Sequence, residues 1–381
     1  MPNVLTGMIP TIYHALHVVS REMIGLIPAV TRDSSAERAA KDQVVRSPIG
    51  VAGEAEDIVP GQQPANTGAT TTTYVDMTID KAKAVPILWN GEEQLAVGPT
   101  GQYNKILADQ FEDAFRKLGN AVELDLFMAA YRAASRAYGT AGTAPFATAG
   151  DLSDTARVLQ ILEDNGAPKT DLQLALGSGA MANLRGKQSV LFKVNEAGSS
   201  DMLRDGMTDR LQGFALRNSG QIRQHIKGTG AGYLLNDAAA AVGKTAIAAD
   251  TGTGTIIAGD IVTFADTPDK YVVNGGLAGG SFSIGKPGLR VAETDNDAIT
   301  VGASYTPNLA FARSAVILAA RAPAIPQGGD AAEDSMMVTD PFTGITFEIR
   351  IYRQYRQVKI EVCLAWGTKG HNSEHIAILI G

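Results

Sequence analysis

The stretch from Tyr103 to Tyr138 constrains this chain more than any other, because it holds one helical period throughout and contains no proline. At about 100° per residue, Leu107, Phe111, Ala114, Phe115, Leu118, Val122, Leu126, Ala129 and Ala133 fall on one apolar stripe. Asp109, Glu112, Asp113, Arg116 and Glu123 lie opposite it. Glu112–Arg116 and Asp113–Lys117 are acid-before-base pairs at i,i+4, each adding a few tenths of a kcal/mol. Thr100 offers an N-cap and Gly139 a stop. Past Asn120, Leu124, Phe127, Met128 and Tyr131 make the helix apolar on nearly every side, so this half should be buried on two faces. At about 1.5 Å per residue the element would run roughly 54 Å, far beyond the mean helix of about 11–12 residues. Two readings stand: a spine from which an elongated molecule hangs, or two ordinary core helices split at Gly119–Asn120.

A chain of 381 residues, 45% hydrophobic, can bury a large core and should form two or three domains. Its net charge of −7 excludes an electrostatic glove for nucleic acid over the whole surface. Only 19% of residues are charged, which suits a surface largely occupied by other protein. A single cysteine, Cys363, excludes an internal disulfide framework and a cysteine-cluster metal site, and its apolar surroundings predict a buried packing role. Met1–Val30 lacks the basic start of a signal peptide and carries His14, His17, Arg21 and Glu22. No window holds ~18 uninterrupted apolar residues, so neither targeting nor a membrane span is expected, and the chain reads as soluble.

Before the spine, Ile12, Tyr13, Leu16, Val19, Met23 and Leu26 recur at helical spacing ahead of Pro28. An arm packed on another subunit and a helix packed on its own core fit that pattern equally. From Asp42 to Asn66 the chain is extended, broken by Pro48, Pro60 and Pro64. Thr71 to Ile79 then alternates as a half-buried strand, and Val85, Ile87 and Trp89 resume the alternation after a turn. A long two-stranded excursion of this kind is marginal in isolation and needs a surface to lie on.

After the spine the pattern predicts a helix over Ser153–Asn165, a strand over Leu172–Leu176, a short helix over Gly179–Leu184, and a strand and turn within Ala215–Lys227. Gly228–Gly302 holds 14 of the 41 glycines. Its short runs (Thr255–Ile257, Asp260–Phe264, Tyr271–Val273, Ser281–Ile284, Ile299–Val301) point to a small barrel or sandwich inserted in a host domain. Leu309–Ala320 is apolar enough for a buried helix or strand. Phe347–Ile351 and Val358–Trp366 read as a hairpin turning at Arg353–Arg356, and Ile376–Ile380 as a last strand.

None of the chemical motifs is compelling. Gly228-Thr229-Gly230 and Gly252-Thr253-Gly254 lack the lysine of a phosphate-binding loop and read as turns. His371 and His375 stand at i,i+4, but no glutamate follows the first and no third ligand is evident. His14, His17 and His225 sit in no local grouping with a nucleophile, so catalytic, cofactor and metal residues are all expected to be none. Arg350, Tyr352, Arg353, Tyr355, Arg356 and Lys359 interleave base and aromatic, which suits a weak grip on nucleic acid or the exposed face of a hairpin paired with acids.

The order of these elements carries a resemblance. An N-terminal arm leads into an extended loop and the spine with Lys117-Leu118-Gly119-Asn120-Ala121-Val122-Glu123-Leu124. A mixed domain follows, with a glycine-rich β-insert ending at Pro307-Asn308-Leu309-Ala310-Phe311, and Arg353-Gln354-Tyr355 with the Trp366 strand closes the chain. This arrangement resembles the major capsid (coat) protein of tailed bacteriophages, an α+β chain of the HK97-like fold, and within it the podovirus branch with a domain inserted in the A domain.

The resemblance implies an N-terminal arm (1–41), an E-loop (42–90), a P domain with the spine (91–151), an A domain (152–227 and 303–344), an inserted β-domain (228–302), and a P-domain hairpin with the C-terminal strand (345–381). It implies intersubunit contacts by Ile12, Leu16, Pro60, Gln62, Tyr74, Lys81, Glu112 and Arg116, and a possible DNA-facing set of Arg350, Arg353, Arg356 and Lys359. The expected partners are further copies in hexamers and pentamers, a separate scaffolding protein, a portal, and packaged double-stranded DNA held weakly, with no membrane. The expected place is the shell of a virion. No Lys–Asn pair for a covalent cross-link is recognisable, so a non-covalent shell is expected. The alternatives are an encapsulin-like compartment and, from another class, an α/β hydrolase or ligand-binding protein with a β-insert.

Overall fold

The computed structural model describes residues 4–22, 25–33, 37–50, 60, 72–97, 103–148, 151–186, 210–238 and 240–381. Its axis is a single unbroken helix, Tyr103–Arg132, of 30 residues and so about 45 Å long. Gly119 does not split it. A mid-helix glycine costs about 1 kcal/mol, and the burial of Phe115, Leu118 and Val122 around it outweighs that.

The helix stops six residues before Tyr138, a correction to the expected span. Arg136–Gly139 is instead a strand, parallel to Ile376–Ile380 and antiparallel to Lys270–Ala278. Both the backbone N–H and the hydroxyl of Ser135 donate to the carbonyl of Ile376, at 2.9 and 2.8 Å. Strand partners thus override the helical propensity of the Ala-Ala-Ser-Arg-Ala run. A second correction concerns Glu123, which the helical wheel puts on the polar face; it is buried, 5% exposed.

The apolar stripe seats the spine on a six-stranded sheet. Phe115 meets Phe347 edge-on with ring centroids 5.1 Å apart. The sheet runs Thr31–Asp33, Val316–Arg321, Gln357–Gly370, Thr346–Gln354, Asp334–Thr339, and Lys81–Asn90 also pairs with Gln357–Gly370. The hairpin therefore stands where the alternation puts it, but Arg353 and Gln354 extend the strand, so the turn is the two residues Tyr355 and Arg356 rather than Arg353–Arg356. Lys81–Asn90, expected within the extended loop, is a sheet strand whose Ile87 and Trp89 are buried. The loop proper is a two-stranded ribbon, Val44–Gly50 against Thr72–Thr78, in register from Val44↔Thr78 to Gly50↔Thr72. Strand Asp334–Thr339 has no counterpart in the sequence pattern.

The N-terminal helix, Val4–Glu22, resolves the choice between arm and core. Ile12, Ala15, Leu16 and Val19 are buried in the same core as the spine's Phe111 and Phe115.

Beyond the spine, Ile376–Ile380, Pro307–Ala312, Leu172–Leu176 and Phe214–Asn218 lie side by side in that order in a second sheet, with helices Ser153–Asp164 and Ser178–Arg185 beside it. The apolar run Leu309–Ala320 resolves into two strands, Pro307–Ala312 and Val316–Arg321, which enter different sheets through a one-turn 3₁₀ segment. Asn308 fastens the first: its Oδ1 accepts from Gly177 N–H at 2.8 Å, and its Nδ2 donates to the Leu379 carbonyl at 3.1 Å.

The insert closes into a barrel, which decides between barrel and sandwich. Ile261–Phe264, Ala298–Val301, Tyr233–Leu235, Ala246–Asp250, Ser281–Ile284 and Lys270–Ala278 pair antiparallel in that order, and the last returns to the first. Val262, Phe264, Tyr271, Phe282 and Ile299 fill it. Closure removes the edges that six short strands would otherwise expose. Tyr233–Leu235 and Ala246–Asp250 have no counterpart in the expected runs, and Thr255–Ile257 is loop rather than strand.

Candidate assembly surfaces

Three polar joints hold the parts of the chain in fixed relation. Asp125, on the spine, accepts from Lys81 Nζ at 2.5 Å and from the indole N–H of Trp366 at 2.8 Å, tying two sheet strands to the helix. Glu123, two residues earlier, accepts from the Ser219 hydroxyl at 2.6 Å and from Ile27 N–H at 3.5 Å. Burial raises its carboxyl above the ordinary value, against the pull of those donors. The third joint links spine and barrel: His225 Nε2 lies 2.8 Å from Asp260 Oδ1, and its Nδ1 lies 3.3 Å from the Tyr131 hydroxyl. Asp260 also accepts from the backbone N–H groups of Gly228 and Ile257. His225 and Asp260 stand 35 residues apart, so local sequence gives no sign of this grouping.

Among the exposed apolar side chains, four stand beside open pockets at two places. At one end of the six-stranded sheet, Tyr355 (90% exposed) tips the hairpin turn. Leu95 (76%) sits on the short helix Gly91–Val97 beside it, where Gly91 N–H donates to Arg356 C=O at 3.2 Å. A pocket of about 380 Å³ lined by Trp89, Gln94, Ile351, Arg353 and Val358 opens at the same place. The second place flanks the later half of the spine. There Ile226 (74%) and Ile257 rim a cleft of about 450 Å³ floored by Leu124, Phe127, Met128 and Tyr131. This half of the helix is apolar on most sides because core covers one side and this cleft the other.

The residues expected at subunit contacts divide by position. Ile12 and Leu16 are buried against the chain's own spine. Lys81 is engaged by Asp125, and Arg116 pairs with Asp113 at 2.9 Å across i,i+3. Glu112 is half-buried, while Pro60 and Tyr74 are exposed, Tyr74 beneath the guanidinium of Arg46 at 5.3 Å. Gln62 and the loop tip around it lie outside the described residues.

The basic hairpin is largely paired within the chain. Arg350 is buried and bonded to Asp330 at 2.5 Å; Arg353 pairs with Glu333 and Lys359 with Glu361. Arg356 is exposed at the turn. Burial, with the hydrogen bond to Asp330, pushes the Tyr352 phenol up to about 12. The pairing favours the reading of an exposed hairpin face matched by acids.

The two Gly-Thr-Gly segments pack against each other rather than cradling an anion: Ala231 and Thr253 form a bridge, and Gly230 N–H donates to Thr255 C=O at 2.8 Å. His375 lies in a 3₁₀ turn with its Nδ1 3.1 Å from Asn372 Nδ2, so the i,i+4 helical geometry required for chelation is not formed. Cys363 is buried, and burial raises its thiol to about 12, which suits packing. No described helix is long and apolar enough to cross a membrane.

No family model and no curated protein matches the chain. Solved structures do. The cyanophage A-1(L) capsid asymmetric unit superposes with a TM-score of 0.51 at 9% identity, over 93% of this chain and 92% of that one. The capsid of cyanophage P-SCSP1u matches at 0.48 and 11%, covering 92% and 86%. A structure of Mycobacterium phage Che8 matches at 0.46 and 14%, covering 89% and 85%. At such identities a likeness speaks to architecture, and the first of them spans nearly the whole of both chains. The spine, its sheet and the second sheet together make the HK97-like fold of phage capsid proteins, with the barrel as an insert in it.

Proposed function

We propose that the chain is the major capsid protein of a tailed phage, whose copies assemble into a closed icosahedral shell around double-stranded DNA. The observation that carries this reading is the ribbon of Val44–Gly50 and Thr72–Thr78. Its two strands pair with each other and, among the described residues, with no third strand, while Tyr74 and Val44 stand about half exposed. Its base rests on the chain's own sheet, where Met77 is buried and Lys369 Nζ donates to the Asp76 carbonyl. A two-stranded ribbon is nonetheless marginal in water, and a neighbouring copy is the natural support for the rest. The exposed Tyr355–Leu95 end of the sheet supplies a second contact face. Repeated heterologous contacts of this kind close into rings and shells when curvature permits, and many weak contacts per subunit multiply into a stable particle.

In this reading the subunit does structural work, a separate scaffolding protein guides assembly, and a portal occupies one vertex. The paired state of Arg350, Arg353 and Lys359 leaves little free positive charge at the hairpin, which fits DNA held loosely rather than gripped.

The test is expression of the chain alone and with its neighbouring gene, followed by sedimentation and negative-stain microscopy. Shells, rings of hexamers or tubes are expected. Deleting Gln62–Thr72 should leave a folded subunit that forms no stable shell. Normal particles from the deletion, or a monodisperse monomer under both conditions, would overturn the reading. Shells loaded with an enzyme rather than DNA would transfer it to an encapsulin-like compartment.

A further inference from the structure

Three carboxylates of the inserted barrel meet in a way that its folding does not explain. Asp266, Glu293 and Asp297 each bring an oxygen within 4.8 Å of the other two. Two of them flank one strand pair: Phe264 stands opposite Ile299, Asp266 lies in the turn two residues past Phe264, and Asp297 immediately precedes Ala298. Glu293 arrives from the preceding loop, where its backbone bridges to Ala240.

Glu293 is the unusual member. It is 3% exposed, and its Oε1 accepts from the Thr267 hydroxyl at 3.0 Å. Its Oε2 is buried with no hydrogen-bond partner. A buried carboxylate oxygen without a donor, beside two further acids, is a costly arrangement. Burial, and then the charges of Asp297, Asp266 and Asp269, push its carboxyl above the ordinary value, whereas the Thr267 donor acts the other way. Arg136 and Arg290 are engaged by Asp164 and Asp269. Asp297 is steadied by Thr294 N–H at 2.7 Å, while Asp266 stays exposed and leaves a way in from solvent.

We infer that Asp266, Glu293 and Asp297 form a binding site for a hard divalent cation, calcium, at one end of the inserted barrel. The donors are all oxygen, which selects calcium or magnesium over the softer metals. Two ligands of one calcium ion, each at about 2.3–2.6 Å, lie up to about 5 Å apart, so the three oxygens suit a shared ion. Magnesium demands shorter, octahedral contacts, which three carboxylates drawn from two separate loops meet less readily. Water completes the shell. The ion would occupy the place of the missing donor at Glu293 Oε2 and pin the turn after Phe264 to the loop before Ala298. Sequence alone assigns no metal ligands here, because Asp266 and Asp297 approach only through the pairing of the strands they flank.

The experiment is equilibrium dialysis of the full-length chain, stripped with a chelator, against calcium, in parallel with Asp266→Asn, Asp297→Asn and Glu293→Gln. One saturable equivalent per chain is expected, with affinity falling about 10-fold or more in each variant, a loss in keeping with removal of a charged ligand. Asp266 is exposed, so its variant keeps the test meaningful even where Glu293→Gln perturbs folding. Magnesium should compete about 10-fold more weakly or less. No saturable binding up to about 10 mM calcium, unchanged affinity in both aspartate variants, or equal competition by magnesium would overturn the assignment. The readout is independent of whether shells form.

Discussion

Ser219 donates a 2.6 Å hydrogen bond to Glu123 across 96 residues of sequence, and it does so in a place sealed from water. The same carboxylate takes the backbone N–H of Ile27, so the spine, the segment after the N-terminal helix and the end of strand Phe214–Asn218 meet at one charge. Gly25 makes the room: a Cβ there would overlap both carboxylate oxygens of Glu123. A joint that depends on one buried acid should respond to pH.

The sign follows from burial. Desolvation holds the folded-state value of Glu123 above the ordinary 4.5. Below that pH both folded and unfolded chains carry the proton and nothing is lost. As pH rises through 4.5 and on to the raised folded value, the unfolded chain gives up its proton first, so this residue makes stability fall. Glu123→Gln should remove that component and flatten the urea-unfolding profile as pH rises above 4.5. A variant with the same slope as the parent would show that the carboxyl does not titrate this way.

Asp125 makes a different kind of joint. It serves Lys81, which is partly exposed, and the indole of Trp366, which is fully buried. Asp125→Ala should therefore cost about 1–3 kcal/mol, most of it from the stranded indole donor. Lys81→Ala should cost less, because solvent already screens the ammonium. Chemical denaturation of the two variants ranks them, and the reverse order would mean that the ion pair dominates.

The contrast between these joints and the spine shows what sequence carries. Leu107 to Leu126 announce themselves by period, because one face of a long helix must repeat every three or four residues to reach a core. The hairpin Thr346–Gly370 does so by alternation. Glu123 breaks the rule: its position on the wheel says solvent, and only a loop some hundred residues away turns that side of the helix inward. The end of the spine is hidden for the same reason, since Arg136–Gly139 takes its conformation from Ile376–Ile380 at the far end of the chain. The inserted barrel is legible as a class through its glycines and short runs. The cluster at Asp266 is not, because strand pairing brings it together.

The sheet end at Tyr355 and Leu95 offers a test of assembly that leaves folding intact. Both side chains are largely exposed, so Tyr355→Ser and Leu95→Ser should change the stability of the folded chain by less than about 0.5 kcal/mol. If this face meets a neighbouring copy, each should lower the yield of sedimenting particles, and the double variant should lower it further. Particle yields equal to the parent's would place the contact elsewhere.

Gly252 tests the barrel from inside. A Cβ at this position would overlap three ring atoms of Tyr233. That ring has little freedom to retreat, because it is 6% exposed and its hydroxyl donates to Gly254 C=O at 2.8 Å. Gly252→Ala should therefore destabilise the chain by about 1–3 kcal/mol through overpacking. Gly179, in helix Ser178–Arg185, is the matched control: it has ordinary helical backbone, and a methyl group added there would meet nothing within 4 Å. Gly179→Ala should stabilise by about 0.4–1 kcal/mol, since alanine has fewer unfolded conformations to lose. Urea unfolding of the pair should give shifts of opposite sign. Equal, small shifts would mean that the Tyr233 ring yields to the new methyl group and that the barrel is less tightly closed than its strand pairing implies.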